Sequence, residues 1–134
     1  MYYTLLMKIN HVTLLVRDKQ KAEQFYTQQL GFEKKQIGKS LWLKIGSDFI
    51  HISQNADFMN PHSFQHFAIE VDNVYRLASE LISKGVEIFV YDEQENQKII
   101  SIREISNIDQ FFIKDPDGNL IEFINQSNSF FHPS

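Results

Sequence analysis

Hydrophobic and polar positions along this chain run through the same order of patterns twice. Residues 9–18 (INHVTLLVRD) and residues 64–73 (FQHFAIEVDN) alternate apolar and polar side chains, which is the pattern of a half-buried β-strand. Apolar residues then recur at helical spacing over residues 19–30 in the first copy and 74–84 in the second. A glycine after each helical stretch marks its end. The order of strand, helix and stop therefore occurs twice.

The spacing of the two copies matches closely. His11 precedes Gly31 by 20 residues, and His66 precedes Gly85 by 19. Agreement of this kind at a fixed period is the signature of an internal repeat. The residues expected to cap the two helices at their N-termini are Asp18 and Asp72.

Strand-like segments follow the helix in both copies. A turn of sequence DPDGN at residues 115–119 separates the last two strands of the second copy, and we assign it a structural role only. A longer polar connection over residues 92–107 is expected to be a loop over the site. The predicted strands are 32–36, 41–45 and 49–53 in the first copy, and 86–91, 110–114 and 120–125 in the second.

These elements predict an α+β protein made of two tandem βαβββ modules, with eight strands in total. Because one helix covers only one face of its sheet, the two modules are expected to pair, with their other faces lining a shared cup. The predicted boundaries are an N-terminal extension at 1–7, a single domain at 8–125 and a tail at 126–134. Within the domain, module one is 8–54, the linker is 55–63 and module two is 64–125.

Composition narrows the classes of function. The chain has 134 residues, a net charge of −4 and a pI of about 5.7, and it has no long basic run, which argues against a nucleic-acid partner. It contains no cysteine, which excludes a disulfide scaffold and thiolate metal ligands. No apolar stretch approaches the roughly 18 residues that span a bilayer, and the N-terminus lacks the features of a signal peptide. We therefore expect a cytoplasmic protein without a membrane partner.

Strand alternation places four chemically useful side chains on one side of the predicted sheets. His11 and His66 occupy matching positions in the two first strands, and His51 and Glu122 occupy matching positions in the two last strands. Three imidazoles and a carboxylate suit a divalent metal such as Zn, Ni, Mn, Fe or Co. The hypothesis is a divalent metal site in the cup, with His11, His66 and Glu122 as ligands and His51 as a fourth.

At these residues the chain resembles the vicinal oxygen chelate superfamily, which includes glyoxalase I, extradiol dioxygenases, fosfomycin-resistance enzymes and bleomycin-sequestering proteins. The resemblance covers roughly residues 8–125. It implies a glyoxalase-like, cupped and partly open barrel, metal ligands at the four positions named above, and a homodimer. The segments that carry it are INHVTLLVRD, FYTQQLGF (25–32), QHFAIEVDN and FFIKDPDGNLIEF (111–123).

The function implied by the resemblance is that of a metal-dependent lyase or isomerase, which acts on a small substrate with neighbouring oxygens through a metal-stabilised enolate. Glu122 would carry the proton. His51 stands where glyoxalase I of this size usually has a carboxylate, so it is either a ligand or a residue that supports a ligand or contacts substrate. The alternatives are a protein that sequesters a small molecule or drug, as bleomycin-resistance proteins do, and a dioxygenase-like or fosfomycin-resistance-like activity.

Other polar and aromatic residues have two interpretations each. Trp42, Phe49 and Phe112 either line the cup as a hydrophobic platform or belong to the core. Arg103 and Glu104, in the long connection, either close over substrate or are solvated loop charges. The histidines to which we assign no function are His62 and His132.

Overall fold

The chain forms two compact units, residues 1–58 and residues 59–134, and the boundary between them lies inside the predicted linker at 55–63. The computed structural model describes residues 7–58, 64–128 and 131. His62 and His132 lie outside these described residues. Each unit is a module in its own right, with its own sheet and its own core.

The first unit is a single βαβββ module. Its elements are β1 (His11–Val16), α1 (Lys19–Gln24), which continues as a π-helix (Phe25–Gln29), β2 (Glu33–Ile37), β3 (Ser40–Ile45) and β4 (Asp48–Gln54). The four strands form one sheet in the order β1-β4-β3-β2, with β1 parallel to β4 and the remaining pairs antiparallel. The last three strands begin and end within one residue of the predicted bounds.

The second unit repeats the module with one addition. Its elements are β5 (His66–Val71), α2 (Val74–Ser83), β6 (Phe89–Tyr91), β7 (Gln97–Ile99), a 3-10 helix (Ile105–Asn107), β8 (Gln110–Lys114) and β9 (Leu120–Asn125). The five strands form one sheet in the order β5-β9-β8-β6-β7, with β5 parallel to β9. The predicted α+β class and the two βαβββ modules are confirmed, and neither sheet closes on itself into a barrel.

The prediction of eight strands is wrong, because the described residues form nine. The additional strand, β7, lies in the 92–107 connection, for which the sequence predicts a loop, and β6 begins at Phe89, later than predicted. The Asp92 side chain accepts hydrogen bonds from the N–H groups of Gln94 and Asn96, each at 2.9 Å, and this turn joins β6 to β7 as a hairpin. All residues of β7 are exposed, so the strand shows no apolar alternation in the sequence.

The two helices begin at different kinds of N-cap. Asp18 caps α1 as predicted, and its Oδ1 accepts hydrogen bonds from two N–H groups of the first turn, at 3.0 and 3.2 Å. The predicted cap of α2, Asp72, is wrong. Asn73 is the last extended residue before the helix, with φ −150° and ψ 94°, and its Oδ1 accepts from the N–H of Arg76 at 2.9 Å.

A matching hydrogen bond ties the last strand of each module to the start of its helix. In the first unit, the Oε1 of Gln54 at the end of β4 accepts from the N–H of Lys19 at 2.8 Å. In the second, the Oδ1 of Asn125 at the end of β9 accepts from the N–H of Val74 at 2.9 Å. Both amides satisfy an N–H group that a helix leaves unpaired in its first turn. The internal repeat therefore extends to individual hydrogen bonds.

One face of each sheet forms the core of its unit. The predicted alternation is observed, because Val16 and Ile69 are buried while His11 and His66 lie on the opposite and more exposed face. No helix within the described ranges is long and apolar enough to cross a membrane. The largest fully buried side chains are Tyr26, Leu41, Leu43 and Ile52 in the first unit, and Leu81, Ile88, Ile105, Phe111, Ile113, Leu120, Ile121 and Phe123 in the second.

The DPDGN turn between β8 and β9 has the structural role that the sequence predicts. Asp115 is only 5% exposed, and its Oδ1 accepts from the N–H groups of Asp117 at 2.9 Å and Asn119 at 2.8 Å. Its Oδ2 accepts from the Asn119 side-chain amide at 2.9 Å. Because β9 carries Glu122, this turn fixes the position of a candidate site residue along the sheet.

Candidate metal centre

In the second unit, a predicted imidazole and the predicted carboxylate lie in direct contact. His66 begins β5, and Glu122 lies on the neighbouring strand β9, where it pairs with Ala68, two residues after His66. The two side chains therefore lie on the same face of the sheet. The Nε2 of His66 is 3.1 Å from the Oε1 of Glu122, and the side chains are 22% and 17% exposed, respectively.

The hydrogen bonds of His66 favour a proton or a metal cation between these two atoms. The Nδ1 of His66 is 2.8 Å from the backbone carbonyl oxygen of Phe64, which can only accept, so Nδ1 carries a hydrogen. In a neutral ring, Nε2 then presents a lone pair to the lone pairs of the Glu122 carboxylate. A shared proton, or a metal cation in its place, removes this repulsion.

The donor set fits a divalent metal. For bonds of about 2.1 Å, two ligands that meet at a right angle lie about 3.0 Å apart. The 3.1 Å that separates Nε2 of His66 from Oε1 of Glu122 is close to this value. A backbone carbonyl that holds the other ring nitrogen is a common support for a ligating histidine. One nitrogen and one carboxylate oxygen suit the borderline ions Zn, Ni, Mn, Fe and Co.

The first unit carries the matching pair, His11 and His51. His51 on β4 pairs with Thr13, two residues after His11, so its place relative to His11 repeats that of Glu122 relative to His66. The Nδ1 of His11 is 2.8 Å from the Oδ1 of Asn10, which acts as the acceptor in place of a backbone carbonyl. With its hydrogen at Nδ1, a neutral His11 ring carries a lone pair at Nε2, as does His66.

A bulky aromatic residue contacts the first histidine of each unit. Trp42 pairs with His51 across β3 and β4, and Phe112 pairs with Glu122 across β8 and β9. The centroid of Trp42 is 4.9 Å from that of His11 at an interplanar angle of 74°, and Phe112 is 5.2 Å from His66 at 75°. The two rings thus meet their imidazoles edge-on in nearly identical geometry.

The candidate ligands form one pair in each unit. His11 and His51 belong to the first unit, and His66 and Glu122 belong to the second. Within the described part of either unit, no group of three His, Asp or Glu side chains gathers as a metal site. A centre that combines His11 with His66 and Glu122 draws on both units, and it stays a prediction.

Some site features were not predicted from the sequence. The supporting atoms of the two histidines are a side-chain oxygen of Asn10 and a main-chain oxygen of Phe64, and no residue pattern marks them. Phe64 and Tyr91 extend the aromatic group around His66, with Phe64 at 5.0 Å from His66 and 5.1 Å from Tyr91. The sequence does carry a signal for the Phe64 ring, because Phe is the first residue of the opening segment of the second module, two residues before His66.

Glu104, in the 92–107 connection, is held by neighbouring residues of the same connection. The N–H and hydroxyl groups of Ser101 donate to Oε1 of Glu104 at 3.2 and 3.0 Å, and these bonds lower the pKa of Glu104 below its usual value. Lys98 Nζ lies 3.8 Å from the other oxygen of the same carboxylate. Arg103 is exposed. Glu104 therefore serves the loop itself.

Comparisons with known proteins agree with this architecture. A glyoxalase family protein from Bacillus anthracis shares 26% identity, with 92% of this chain and 98% of that chain covered at a TM-score of 0.70. The fosfomycin resistance protein FosX from Listeria monocytogenes shares 19% identity over 93% of this chain and 98% of that chain, with a TM-score of 0.67. An integron cassette protein from the mobile metagenome of V. cholerae shares 22% identity over 94% of this chain and 100% of that chain, with a TM-score of 0.66.

At the level of sequence, no curated protein matches the chain. The model of one protein family matches residues 8–123, which is most of the chain and includes both candidate pairs. The description of that family corresponds to the vicinal oxygen chelate resemblance of the sequence. The chain belongs to the glyoxalase/bleomycin resistance protein/dioxygenase superfamily.

Proposed function

We propose that this protein is a metal-dependent enzyme of the glyoxalase type, which acts on a small substrate with neighbouring oxygens. The observation that carries the proposal is the contact between Nε2 of His66 and Oε1 of Glu122, which calls for a shared proton or a metal cation between the two atoms. The proposed ligands are His11, His66 and Glu122, with His51 as a fourth. The proposed ion is one of Zn, Ni, Mn, Fe and Co.

The residues of the chain have separate roles in this proposal. A bound ion supplies positive charge to neighbouring substrate oxygens, so that negative charge developing on them is stabilised. The carbonyl of Phe64 and the side chain of Asn10 accept the Nδ1 hydrogens of His66 and His11, which leaves Nε2 as the atom of each ring that would bind an ion. Glu122 accepts a substrate proton at a carboxylate oxygen and returns it to the neighbouring atom. The aromatic rings beside the imidazoles offer apolar surface next to the polar pairs on this face.

A second candidate is a protein that sequesters a small molecule without converting it. The aromatic rings of Phe64, Tyr91 and Phe112 around His66 favour this alternative, because they offer apolar surface next to a polar pair. Two further alternatives remain. The similarity in fold to FosX favours a fosfomycin-resistance-like activity. The family description includes dioxygenases, which favours a dioxygenase-like activity.

The test is metal reconstitution followed by an activity panel. Untagged protein is stripped with a chelator, loaded separately with Zn, Ni, Mn, Fe and Co, and analysed for metal content per chain. We expect about one ion per chain, and turnover of a substrate with neighbouring oxygens by at least one loaded form but not by the stripped form. Full loading without turnover on any panel member would favour sequestration. Absence of stoichiometric metal in every form would overturn the proposal.

We also propose that the protein is a cytoplasmic homodimer. The two candidate pairs lie on partly exposed sheet faces that belong to separate units. In a dimer, the second copy of the chain provides a further unit with which each pair can complete a metal site. Light scattering at micromolar concentration is expected to give twice the 15.8 kDa chain mass. A mass near that of a single chain would contradict the dimer.

A further inference from the structure

We infer that Trp42 is a positioning residue that fixes the imidazoles of both His11 and His51 for metal binding. The inference rests on the proposed function, and it adds a residue that holds the ligands without touching the ion. His51 lies flat against the indole, with ring centroids 4.5 Å apart at an interplanar angle of 20°. His11 meets the indole edge-on, at 4.9 Å and 74°. One side chain therefore contacts both candidate ligands of the first unit.

The position of Trp42 in β3 separates it from the core. Its neighbours Leu41 and Leu43 are 1% and 0% exposed, whereas Trp42 is only half-buried and lies on the opposite face of the strand. A large apolar ring on the polar face adds little to the core. Its ring contacts on that face are to the two histidines and, at 6.2 Å, to Phe49.

The repeat gives independent support for this role. Phe112 lies at the equivalent position of the second unit and makes an edge-on contact with His66, at 5.2 Å and 75°. Two copies of the module differ in most residues, yet both place an aromatic ring at this register with the same angle to the first imidazole. A phenyl ring is thus sufficient for the contact, and the indole of Trp42 extends it to a second imidazole.

The physical effect is on ring rotation. A histidine side chain rotates about the bond to its ring within a broad energy well, so a single hydrogen bond at Nδ1 does not fix the direction of Nε2. His11 has that hydrogen bond to Asn10 and, in addition, the edge contact with Trp42. His51 has its ring plane set by stacking on the same indole. Without the indole, both imidazole rings can rotate, so their Nε2 atoms no longer keep the single orientation that metal binding requires.

The experiment compares Co²⁺ binding to four stripped proteins, the wild type and three variants, by calorimetry and by the visible absorption of bound Co²⁺, which reports the donor set. The variants are Trp42→Leu, the conservative Trp42→Phe, and Phe32→Leu as the matched control. Phe32 is an aromatic residue of the same unit whose ring stacks on Tyr26 at 6.0 Å, away from the histidines. Circular dichroism and thermal unfolding of the stripped proteins establish that each variant is folded.

We expect Trp42→Leu to weaken Co²⁺ binding about 10-fold and to alter the Co²⁺ spectrum in the manner of His51→Ala. Trp42→Phe should bind Co²⁺ with an affinity between those of the wild type and Trp42→Leu, because a phenyl ring keeps the edge contact with His11 and loses the stack with His51. Phe32→Leu should match the wild type in both measurements.

Because Trp42 is the only tryptophan, the wild-type protein supplies a readout that needs no variant. Co²⁺ should quench its emission, with saturation at the calorimetric stoichiometry. Wild-type affinity and spectrum in Trp42→Leu, or emission that Co²⁺ does not change, would overturn the inference while the proposed function stands. A wild type that binds no Co²⁺ would overturn the proposed function and, with it, the inference.

Discussion

The substitution Glu122→Gln tests whether metal binding requires the negative charge of Glu122 or only a side chain of this shape. Glutamine fills the same volume, but its amide is neutral and can donate. In the wild type, Nδ1 of His66 donates to Phe64, and Nε2 faces the carboxylate at 3.1 Å. In the variant, the introduced amide can donate to the Nε2 lone pair, so the pair is satisfied without a proton or a metal between its atoms.

The magnitudes follow from this geometry. A hydrogen bond to a charged partner contributes about 1.5–3 kcal/mol and a neutral one about 0.5–1.5 kcal/mol, so the stripped variant should lose only about 1 kcal/mol of stability. Metal binding should suffer far more, because the variant lacks the anionic ligand. Removal of a supporting residue alone costs about 10–100-fold in affinity, so we expect a loss of at least about 100-fold, or about 2.7 kcal/mol, when the ligand itself is replaced.

The assay is calorimetric titration of the stripped wild type and Glu122→Gln with Co²⁺ at one fixed pH, together with urea unfolding of both proteins without metal. The expected outcome is a small change in the unfolding midpoint beside a large loss of affinity. Equal affinity in the two proteins would refute the argument that Glu122 is a ligand. A loss of several kcal/mol in the stripped protein would refute the claim that the amide repairs the contact.

Three further predictions concern single residues. His66→Ala should abolish stoichiometric metal and activity together, as measured by elemental analysis and turnover, and retained metal would contradict its role. If His51 is a ligand, His51→Ala should lower Co²⁺ affinity about as much as His66→Ala does. If His51 only supports a ligand, the loss should be about 10-fold, and calorimetry decides between these two roles. Asn125→Ala removes an acceptor for the N–H of Val74 and a donor to Asp109, so urea unfolding should show a loss of about 2 kcal/mol in the free energy of unfolding. The matched Gln54→Ala removes only the acceptor for Lys19 and should lose about 1 kcal/mol. Equal losses would contradict the separate contribution of the bond to Asp109.

Much of the fold could be predicted because the two modules share one hydrophobic pattern. Val16 and Ile69 are buried, while His11 and His66 lie on the opposite, more exposed face, as strand alternation predicts. The same alternation placed His66 and Glu122 on one face of the predicted sheets, and the structure brings the two side chains into contact. Periodicity thus predicted the two modules and the face of each candidate residue, whereas the contact within each pair comes from the parallel pairing of the first and last strands.

Local features whose cause is a single side-chain hydrogen bond could not be predicted in this way. Asn73 and Asp72 are both good N-cap residues, and the choice depends on where the chain leaves the extended conformation. β7 depends on the turn at Asp92 and has no buried residue to mark it. The hydrogen bond that supports His66 goes to the main-chain oxygen of Phe64. Every residue has this oxygen, so the sequence does not indicate which one is used.

We propose that His11, His66 and Glu122 bind one divalent ion. Crystals of the Zn-loaded protein, measured with X-rays just above and just below the Zn absorption edge, test it most directly. We expect one strong anomalous difference peak per chain, within bonding distance of Nε2 of His11, Nε2 of His66 and a carboxylate oxygen of Glu122. A fully loaded crystal with its peak elsewhere, or with no peak at these residues, would contradict it.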